Sequence, residues 1–224
     1  MKSEDYLVPP VFDLDVVRER LYAAVLSDVL DQMGCTGQVT SGLSPIADDM
    51  KIAGFARTAR AVAVNRAPDE PYKHLMAVID SMTDGDVLVI AADPFTQSAI
   101  FGGLLATAVS AVGGRGVVTD GFTRDVHEIR QIGLPTVARG LVPLDSYGRD
   151  EVVEIDQRVS VGGVPVSSGD LVFADLDGVV VVPSDICDEV VTRAMEKVVG
   201  EDEVRNALRT GMTTAEAFAK YGIL

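Results

Sequence analysis

The chain is poor in the residues on which disulfide-bonded proteins, zinc sites and base-stacking surfaces depend. Its 224 residues include two cysteines, two histidines, no tryptophan and 5% aromatic residues. Cys35 and Cys187 do not form a C-x-x-C pair, which argues against a disulfide framework and a thiolate zinc site. His74 and His127 are too few for a histidine-rich zinc site. The scarcity of aromatic residues leaves no stacking platform for nucleic-acid bases.

Basic residues are also scarce. The chain has 19 Lys and Arg residues against 34 Asp and Glu residues, a formal net charge of −15 and a pI near 4.4. The resulting long-range field repels nucleic acid and anionic membranes, so we expect no nucleic-acid partner. An anionic substrate would need a bound cation and an arginine at the site to overcome the surrounding negative potential.

Several targeting and catalytic signals are absent. No apolar run approaches the ~20 residues of a bilayer span, and the N-terminal sequence MKSEDYLVPP is unlike a signal peptide, so we expect a cytoplasmic protein without membrane contact. No P-loop and no G-x-S-x-G motif supports phosphoryl transfer or serine hydrolysis. A Schiff-base aldolase needs a desolvated lysine. None of the five lysines lies in an apolar strand interior: Lys2, Lys51, Lys73, Lys197 and Lys220.

Length and a hydrophobic content of 47% predict one substantial core and a single domain over residues 1–224. Residues 1–12 are predicted to be an N-terminal arm, because Pro9 and Pro10 prevent helix there. Residues 14–33 have helical apolar spacing and predict two helices, with Ser27 as the N-cap of the second. Residues 51–56 and 60–64 predict a strand pair on either side of Arg57-Thr58, with an alternation that suits a sheet with one wetter face.

The second half of the chain has a different residue pattern. After a helix at 75–82 and a buried strand at 87–91, short β-type runs between residues 152 and 182 are separated by Gly, Asp and Pro turns. The Asp177-Gly178 pair predicts a hairpin turn. Residues 185–224 predict C-terminal helices, the last capped by Thr213 or Thr214 with Glu216 close behind. This order indicates a mixed α/β fold with layered sheets.

The stretch 101–128 contains three candidate functional features, one after another. Gly102 and Gly103 precede an apolar stripe with helical spacing, which predicts a helix whose bare N-terminus presents unpaired N–H groups to a carboxylate or phosphate. The alternative is that this glycine pair marks a close helix packing contact. Residues 113–114 end the helix, residues 116–119 predict a short buried strand, and Asp120-Gly121 predicts a turn out of it.

Arg124 and Asp125 then fall just past the carboxyl end of that strand, where open α/β sheets place their ligands. Arg124 can bind a substrate carboxylate or carbonyl oxygen, and Asp125 can supply an oxygen ligand to a divalent cation. The alternative is that Arg124 and Asp125 form ordinary ion pairs with neighbouring residues at a solvent-exposed helix start.

These segments together resemble one family. The Gly-Gly-Leu-Leu loop at 102–105 is followed by Asp-Gly-Phe-Thr-Arg-Asp at 120–125 and then by Glu128. Further matching segments lie over most of the chain, at 27–34, 53–58, 169–175 and 177–183. Their order and spacing resemble the regulator of ribonuclease E activity A-like proteins, which include 4-hydroxy-4-methyl-2-oxoglutarate and 4-carboxy-4-hydroxy-2-oxoadipate aldolases, class II pyruvate aldolases. One departure is Gly103, where such loops often carry an acidic residue.

The resemblance implies the swivelling β/β/α type of α/β fold, a single mixed domain of layered sheets with flanking helices. It also implies homotrimers or hexamers with active sites at subunit contacts. The implied activity is a metal-dependent carbon–carbon lyase that cleaves a 4-hydroxy-2-oxo acid to pyruvate and a second oxo acid, with an oxaloacetate decarboxylase side activity, in aromatic compound catabolism.

Residues and resemblance together suggest roles for individual groups. Asp125 is the predicted metal ligand, for Mg²⁺ first and for Mn²⁺ or another divalent cation as alternatives. Arg124 is predicted to bind substrate and to stabilise the enolate oxygen that develops during cleavage. The backbone N–H groups that would hold the substrate carboxylate belong to Gly102, Gly103, Leu104 and Leu105.

The general base is left open between a metal-bound water and an acid from an adjoining subunit, for which Asp28, Glu201 and Glu203 are candidates. Glu128 and Asp120 are predicted to orient the metal's waters. Two rival functions remain: a non-catalytic protein-binding regulator of a ribonuclease, and a metal enzyme acting on a sugar acid. Retention of both Arg124 and Asp125 beside the glycine loop favours the enzyme.

Overall fold

A computed structural model of the chain describes residues 12–223. Residues 1–11 of the predicted arm lie outside the described part. Phe12, the last residue of that arm, packs against Phe55 with ring centroids 6.4 Å apart. Within residues 12–223, no helix has both the length and the apolar character needed to cross a bilayer.

Helices alternate with strands in the first half of the described chain and close its C-terminal end. The helices are α1 (Leu14–Arg20), α2 (Ala23–Gln32), α3 (Lys73–Asp80), α4 (Gly103–Ala111), α5 (Val126–Ile132), α6 (Cys187–Arg209) and α7 (Thr214–Tyr221). The strands are β1 (Ser44–Pro45), β2 (Ile52–Ala63), β3 (Asp86–Ala91), β4 (Ala99–Phe101), β5 (Gly116–Thr123), β6 (Thr136–Leu141), β7 (Asp150–Ile155), β8 (Val159–Val161), β9 (Val164–Val166), β10 (Leu171–Asp175) and β11 (Gly178–Val182).

One large mixed sheet organises these elements. Its strand order is β1-β6-β5-β3-β2-β10-β11, with β4 added at β5 and β7 added at β2. The strands β2, β3, β5 and β6 run parallel, as does β4 beside β5. The hairpin of β8 and β9 forms a separate small sheet. Because the parallel strands share one direction, their carboxyl ends open at the same edge.

The two faces of the large sheet bury different partners. On one face the helices α1, α2 and α6 cover β10 and β11, while α3, α4 and α5 cover the parallel strands. On the other face the β8–β9 hairpin packs its valines against apolar residues of β3, β5, β10 and β11. The result is a layer of helices, a central sheet and a small sheet, which confirms the predicted fold class of layered sheets with flanking helices.

The break between the first two helices lies earlier than predicted. Leu21 and Tyr22 are extended, α2 begins at Ala23, and Ser27 lies inside α2 rather than at its N-cap. The N–H of Ala23 donates instead to the Asp175 carboxylate of β10 at 2.9 Å. A distant side chain therefore satisfies the helix start, which local sequence cannot reveal.

The predicted strand pair around residues 57–58 is wrong. Residues 52–63 form one 12-residue strand, β2, because its partner β3 pairs continuously across the supposed break between the two strands. Along one edge β10 and β7 pair with the two ends of β2, and β3 pairs with its middle along the other edge. Arg57 and Thr58 do not form a turn. Their polar side chains form hydrogen bonds with groups beside the sheet.

Three other local predictions had different outcomes. Gly178 closes the hairpin of β10 and β11, and Thr213 with Glu216 forms a capping box at α7, both as predicted. The predicted turn at Asp120-Gly121 is wrong, since both residues lie within β5, where the pairing register shifts between Thr119 and Phe122. A local irregularity absorbs the Asp-Gly pair without ending the strand.

A forked ion pair fastens β2 to the segment after β7. Arg57 donates to both carboxylate oxygens of Asp156 at 2.9 and 2.8 Å, and to the backbone oxygen of Ser81 at 3.0 Å. Burial raises the pKa of Asp156, but hydrogen bonds from Arg57 and Ser168 outweigh burial and hold this pKa below the ordinary value of an aspartate. The pair therefore stabilises the fold while Asp156 is ionised.

We expect Asp156→Asn to lower the free energy of unfolding at pH 7 by up to about 1 kcal/mol, because the pair is partly exposed. A carboxyl whose folded pKa is depressed contributes stability above its unfolded pKa, and that contribution is lost as pH falls through the folded pKa. The difference from wild type should therefore shrink below about pH 4. Urea unfolding between pH 7 and 3 measures it.

Glu154→Gln is the matched control for this prediction. Glu154 makes a similar forked pair with Arg60, but both side chains are more exposed, so a smaller effect is expected. A difference between Asp156→Asn and wild type that stayed constant down to pH 3 would contradict the linkage.

Candidate active site at the carboxyl edge of the sheet

The candidate site lies where three parallel strands end. Gly102 follows β4 and is the N-cap of α4, Arg124 follows β5, and Asp145 comes four residues after the end of β6. The N–H of Arg124 donates to the Phe101 carbonyl oxygen at 3.1 Å, which ties the end of β4 to the end of β5. Sequence-distant side chains thus meet at one edge, as ligand sites of open α/β sheets do.

A cavity of about 300 Å³ opens at this edge. Of the predicted site residues, Gly102, Leu104, Leu105, Arg124 and Asp125 line it. Gly103 is buried and does not line the cavity. The structure therefore brings the predicted groups together, with Gly103 placed behind the others. Their chemical roles remain predictions.

Asp125 is held by its backbone and by the start of α4. It is the N-cap of α5 and has a left-handed backbone, with φ of 58°. One of its carboxylate oxygens, Oδ2, accepts the Gly103 N–H at 3.0 Å. A Cβ at position 102 would lie 2.7 Å from that oxygen, so a larger residue there would displace the Asp125 carboxylate from this position. Gly102 was predicted to leave room for a ligand. In the structure it leaves room for the Asp125 carboxylate.

Arg124 lies between two carboxylates. Its Nε atom is 3.5 Å from Asp125 Oδ2, and its Nη2 atom is 3.4 Å from Asp145 Oδ1. The Arg124 side chain is 34% exposed, so its charge is partly screened but open to a ligand in the cavity. The two acids hold the guanidinium in a defined position without burying it.

The N-terminus of α4 presents donors to the cavity. The N-cap residue, Gly102, makes no side-chain capping bond, and the Ala106 N–H already donates to the Gly102 carbonyl oxygen. The Gly103 N–H is taken by Asp125. Among residues 12–223, no hydrogen-bond acceptor is found for the N–H groups of Leu104 and Leu105. These two donors, with the positive end of the helix dipole, suit an anionic ligand group.

Glu128 lies against position 103. A Cβ there would overlap the Glu128 Oε2 atom and would lie 3.2 Å from the Glu128 Cβ, so the Glu128 side chain would have to move. The carboxylate of Glu128 therefore occupies the space that a side chain at position 103 would need. An acidic charge stands beside the start of α4 even though the loop itself carries glycine.

Asp120 does not act as predicted. Its two carboxylate oxygens accept the backbone N–H groups of Ala92 at 2.7 Å and Gly162 at 3.1 Å. Asp120 therefore joins the large sheet to the β8–β9 hairpin instead of orienting groups at the site. His127 is exposed and lies 3.1 Å from Gln131 on the surface of α5.

The candidate bases lie away from the cavity of the described chain. Asp28 pairs with Lys197 at 2.6 Å, and Glu201 accepts a hydrogen bond from the Tyr22 hydroxyl, so both face the contact of α2 with α6. Glu203 is exposed on α6. None of the three lines the cavity that holds Arg124.

Sequence reasoning missed Asp145, Ser146, Tyr72 and Met76, which also line the cavity. Asp145 and Ser146 follow β6, so the rule that ligands gather past strand ends could have found them. Tyr72 and Met76 come from the start of α3, and nothing in their local sequence marks them. Burial raises the pKa of the Tyr72 phenol and Asp145 raises it further, so the phenol is protonated at neutral pH.

The donor set can be tested against a divalent cation. Within residues 12–223, no group of three or more His, Cys, Asp or Glu side chains is arranged to hold a metal ion. The cavity offers the carboxylates of Asp125 and Asp145. This set fits Mg²⁺ or Mn²⁺, because Mg²⁺ binds proteins through one or two carboxylates and keeps several waters.

Comparison with known proteins assigns the chain to a family. Residues 23–181 match the RraA-like family, described as aldolase/RraA. The chain belongs to the RraA-like family. The matched range contains the large sheet except for part of its last strand, and every residue of the cavity. The resemblance read from the sequence motifs is thereby confirmed.

Relatives carry both of the names associated with this RraA-like family. A protein of Halalkalibacterium halodurans, provisionally named 4-hydroxy-4-methyl-2-oxoglutarate aldolase, is 28% identical over 196 residues, covering 86% of this chain and 87% of the relative. The crystal structure of Streptomyces coelicolor RraAS2, described as an unusual member of the RNase ES inhibitor RraA protein family, is 31% identical with a TM-score of 0.75. The structural match covers 87% of this chain and 97% of the RraAS2 chain.

A third relative is much longer than the matched region. Protein DlpA of Legionella pneumophila is 28% identical over 201 residues, which is 89% of this chain but 32% of DlpA. The chain therefore spans about a third of that relative. Names across the RraA-like family point to lyase activity in some members and to ribonuclease inhibition in others.

Proposed function

We propose that the protein is a divalent-metal-dependent lyase that cleaves a 4-hydroxy-2-oxo acid to pyruvate and a second oxo compound. One observation carries the proposal: the Arg124 guanidinium and the Asp125 carboxylate lie 3.5 Å apart in one cavity, beside the open N-terminus of α4. The aldolase name of the Halalkalibacterium halodurans relative supports the same reaction class. The proposed catalytic domain is the whole chain, 1–224.

The polar end of the cavity suits the 2-oxo acid end of such a substrate. The N–H groups of Leu104 and Leu105 can donate to the C1 carboxylate, helped by the helix dipole. Arg124 can then donate to the C2 oxygen. Both sets of donors are in place before the substrate arrives, since α4 and the two carboxylates beside Arg124 fix them. Binding therefore needs little reorganisation.

Cleavage breaks the bond between C3 and C4. The C4 hydroxyl loses its proton to a base, C4 becomes a carbonyl, and the electron pair of the broken bond passes into a pyruvate enolate, which is then protonated at C3. Negative charge grows on the C2 oxygen in this step, and Arg124 is placed to stabilise it. Oxaloacetate would yield the same enolate by losing CO₂, without any hydroxyl proton to remove.

A divalent cation bound at Asp125 would supply Lewis-acid polarisation of the C2 oxygen. Asp125 is suited to hold it, because its backbone and the Gly103 N–H fix one carboxylate oxygen. Asp145 adds a second negative charge that keeps Arg124 oriented. A homotrimer or hexamer is part of the proposal, because the candidate bases of this chain face away from its own cavity.

The second candidate function is regulation of a ribonuclease. The likeness to RraAS2, a member of the RNase ES inhibitor RraA protein family, favours it. Inhibition by surface contact has no need for a cavity in which a strained aspartate and an arginine face each other. The enzyme is therefore the preferred proposal.

The test is pyruvate release from 4-hydroxy-2-oxo acids and from oxaloacetate, followed with lactate dehydrogenase. We expect turnover with Mg²⁺ or Mn²⁺, loss of turnover with a chelator and recovery when the metal is restored. A blank with metal and no protein corrects for spontaneous oxaloacetate decay. Turnover that ignores the chelator would remove the metal from the proposal, and absence of turnover together with tight ribonuclease binding would favour the regulator.

A further inference from the structure

The proposed cleavage ends with a proton transfer to C3 of the pyruvate enolate, and this transfer needs a donor at the cavity. Among the lining residues of the described chain, two side chains carry a hydroxyl group, Tyr72 and Ser146. A phenol is a much stronger acid than an aliphatic alcohol. The guanidinium of Arg124 keeps its protons throughout the physiological pH range. Tyr72 is therefore the lining side chain best suited to donate a proton.

The Tyr72 phenol lies beside the group proposed to bind the C2 oxygen. It forms a hydrogen bond with the Ser146 side chain and interacts with the charges of Arg124 and Asp145. Its ring lies 6.2 Å from the Tyr147 ring, centroid to centroid, which limits the movement of the side chain. Since C3 is bonded directly to C2, a hydroxyl group beside Arg124 is also close to C3 of the bound enolate.

The backbone of Tyr72 is strained. Its φ is 63°, which is an outlier for an aromatic residue. Tyr72 is the N-cap of α3, but its side chain makes no capping bond, and glycine or asparagine would adopt this conformation with less strain. Of the three non-glycine residues with positive φ in the described chain, Tyr72 and Asp125 line this cavity. Strain that persists at a cavity is typical of a side chain positioned for function.

We propose that the Tyr72 hydroxyl is the catalytic acid that protonates C3 of the pyruvate enolate. This inference rests on the proposed function, because the enolate is the product of the proposed cleavage. The O–H bond of Tyr72 breaks, and its proton bonds to C3 through the electron pair of the C2–C3 double bond. The C2 oxygen becomes a carbonyl oxygen, and Tyr72 is left as a phenolate.

The surroundings of Tyr72 allow the phenolate to form and to be reprotonated. The positive charge of Arg124 favours the phenolate, and the negative charge of Asp145 disfavours it. An enolate carbon is a stronger base than a phenolate, so the proton passes from Tyr72 to C3. Tyr72 is 37% exposed, so water can return the proton before the next turnover. The base that takes the C4 hydroxyl proton is a different group, which an adjoining subunit can supply.

Tyr72→Phe tests the proton donor, because phenylalanine keeps the ring and imposes the same backbone strain. CO₂ release from oxaloacetate in a single turnover with Mg²⁺ reports cleavage alone. Exchange of the methyl hydrogens of pyruvate for deuterium from D₂O, followed by NMR, reports proton transfer at C3. We expect Tyr72→Phe to slow the exchange by about 10²–10⁴-fold, the usual contribution of a general acid or base, while CO₂ release stays close to the wild-type rate.

Two variants serve as controls for Tyr72→Phe. Tyr147→Phe removes a hydroxyl group from the neighbouring ring, which does not line this cavity, so both rates should match the wild type. Arg124→Ala should slow both exchange and CO₂ release, because Arg124 is proposed to stabilise the enolate itself. Thermal unfolding of each variant checks that the fold is retained.

The outcomes distinguish the proton donor from the lyase activity. Wild-type exchange in Tyr72→Phe, or no exchange in the wild type, would overturn the inference even where 4-hydroxy-2-oxo acids are cleaved. An equal fall in exchange and CO₂ release would also overturn it, because that result is expected of a residue that only positions Arg124. Exchange that depends on Tyr72, without cleavage of any 2-oxo acid, would support the proton transfer and overturn the lyase activity.

Discussion

Replacement of Arg124 by alanine is expected to lower kcat for pyruvate release by about 10²–10³-fold, the usual effect of removing one donor from a developing oxyanion. The guanidinium is the cationic side chain that lines the cavity in the described chain, and it faces the position proposed for the C2 oxygen. The stabilisation it gives grows as charge develops, so kcat should fall more than the affinity for substrate. Steady-state kinetics with saturating Mg²⁺ measures both.

Two further variants make the Arg124 result specific. Arg124→Lys keeps the charge but loses the fork that lies between Asp125 and Asp145, so an intermediate loss is expected. Arg130→Ala removes an exposed arginine of α5 that does not line the cavity, and kcat should stay at the wild-type value. If Arg124→Ala and Arg130→Ala behaved alike, Arg124 would have no part in the chemistry.

Replacement of Asp125 by asparagine is the second large expected effect. The amide oxygen can still accept the Gly103 N–H, and asparagine tolerates the left-handed backbone, so the fold should be retained. The affinity for Mn²⁺ should fall by more than about 100-fold, since losing a partner behind a metal ligand already weakens binding by about 10- to 100-fold. Metal-stimulated turnover should fall with it.

Direct titration of Mn²⁺ onto the chain separates metal binding from turnover. Asp48→Asn makes the same change of charge at an exposed loop position outside the cavity, and Mn²⁺ affinity should be unchanged. Asp145→Asn should have a smaller effect than Asp125→Asn, because Asp145 is proposed to orient Arg124. Unaltered Mn²⁺ binding in Asp125→Asn would show that the cation is held elsewhere.

Strain at the site has a physical consequence for these variants. Tyr72 and Asp125 both have positive φ, and neither is a glycine. Such conformations persist when the surrounding structure holds them, and they cluster at functional sites. Substitution of Asp125 by glycine would relieve that strain but would also remove the acceptor of the Gly103 N–H, so asparagine, which keeps that acceptor, is the better test of metal binding.

The sequence predicted the elements whose signals are local. The Asp177-Gly178 hairpin and the capping box of Thr213 with Glu216 are set by residues next to one another in the chain, and both were confirmed. Arg124 does follow β5, although that strand continues through the predicted Asp120-Gly121 turn to Thr123. Predictions failed where a distant partner decided the outcome: Asp175 fixes the start of α2, and three strands hold residues 52–63 straight.

The candidate site divides in the same way. Gly102, Arg124 and Asp125 belong to one stretch of chain, so the sequence by itself determined that a glycine pair, a cation and a carboxylate would lie at one strand edge. Tyr72, Met76 and Asp145 reach that edge from α3 and from the segment after β6. Only the tertiary structure decided that they form the remaining wall, because parallel strands bring distant segments to a common edge and local sequence carries no record of that meeting.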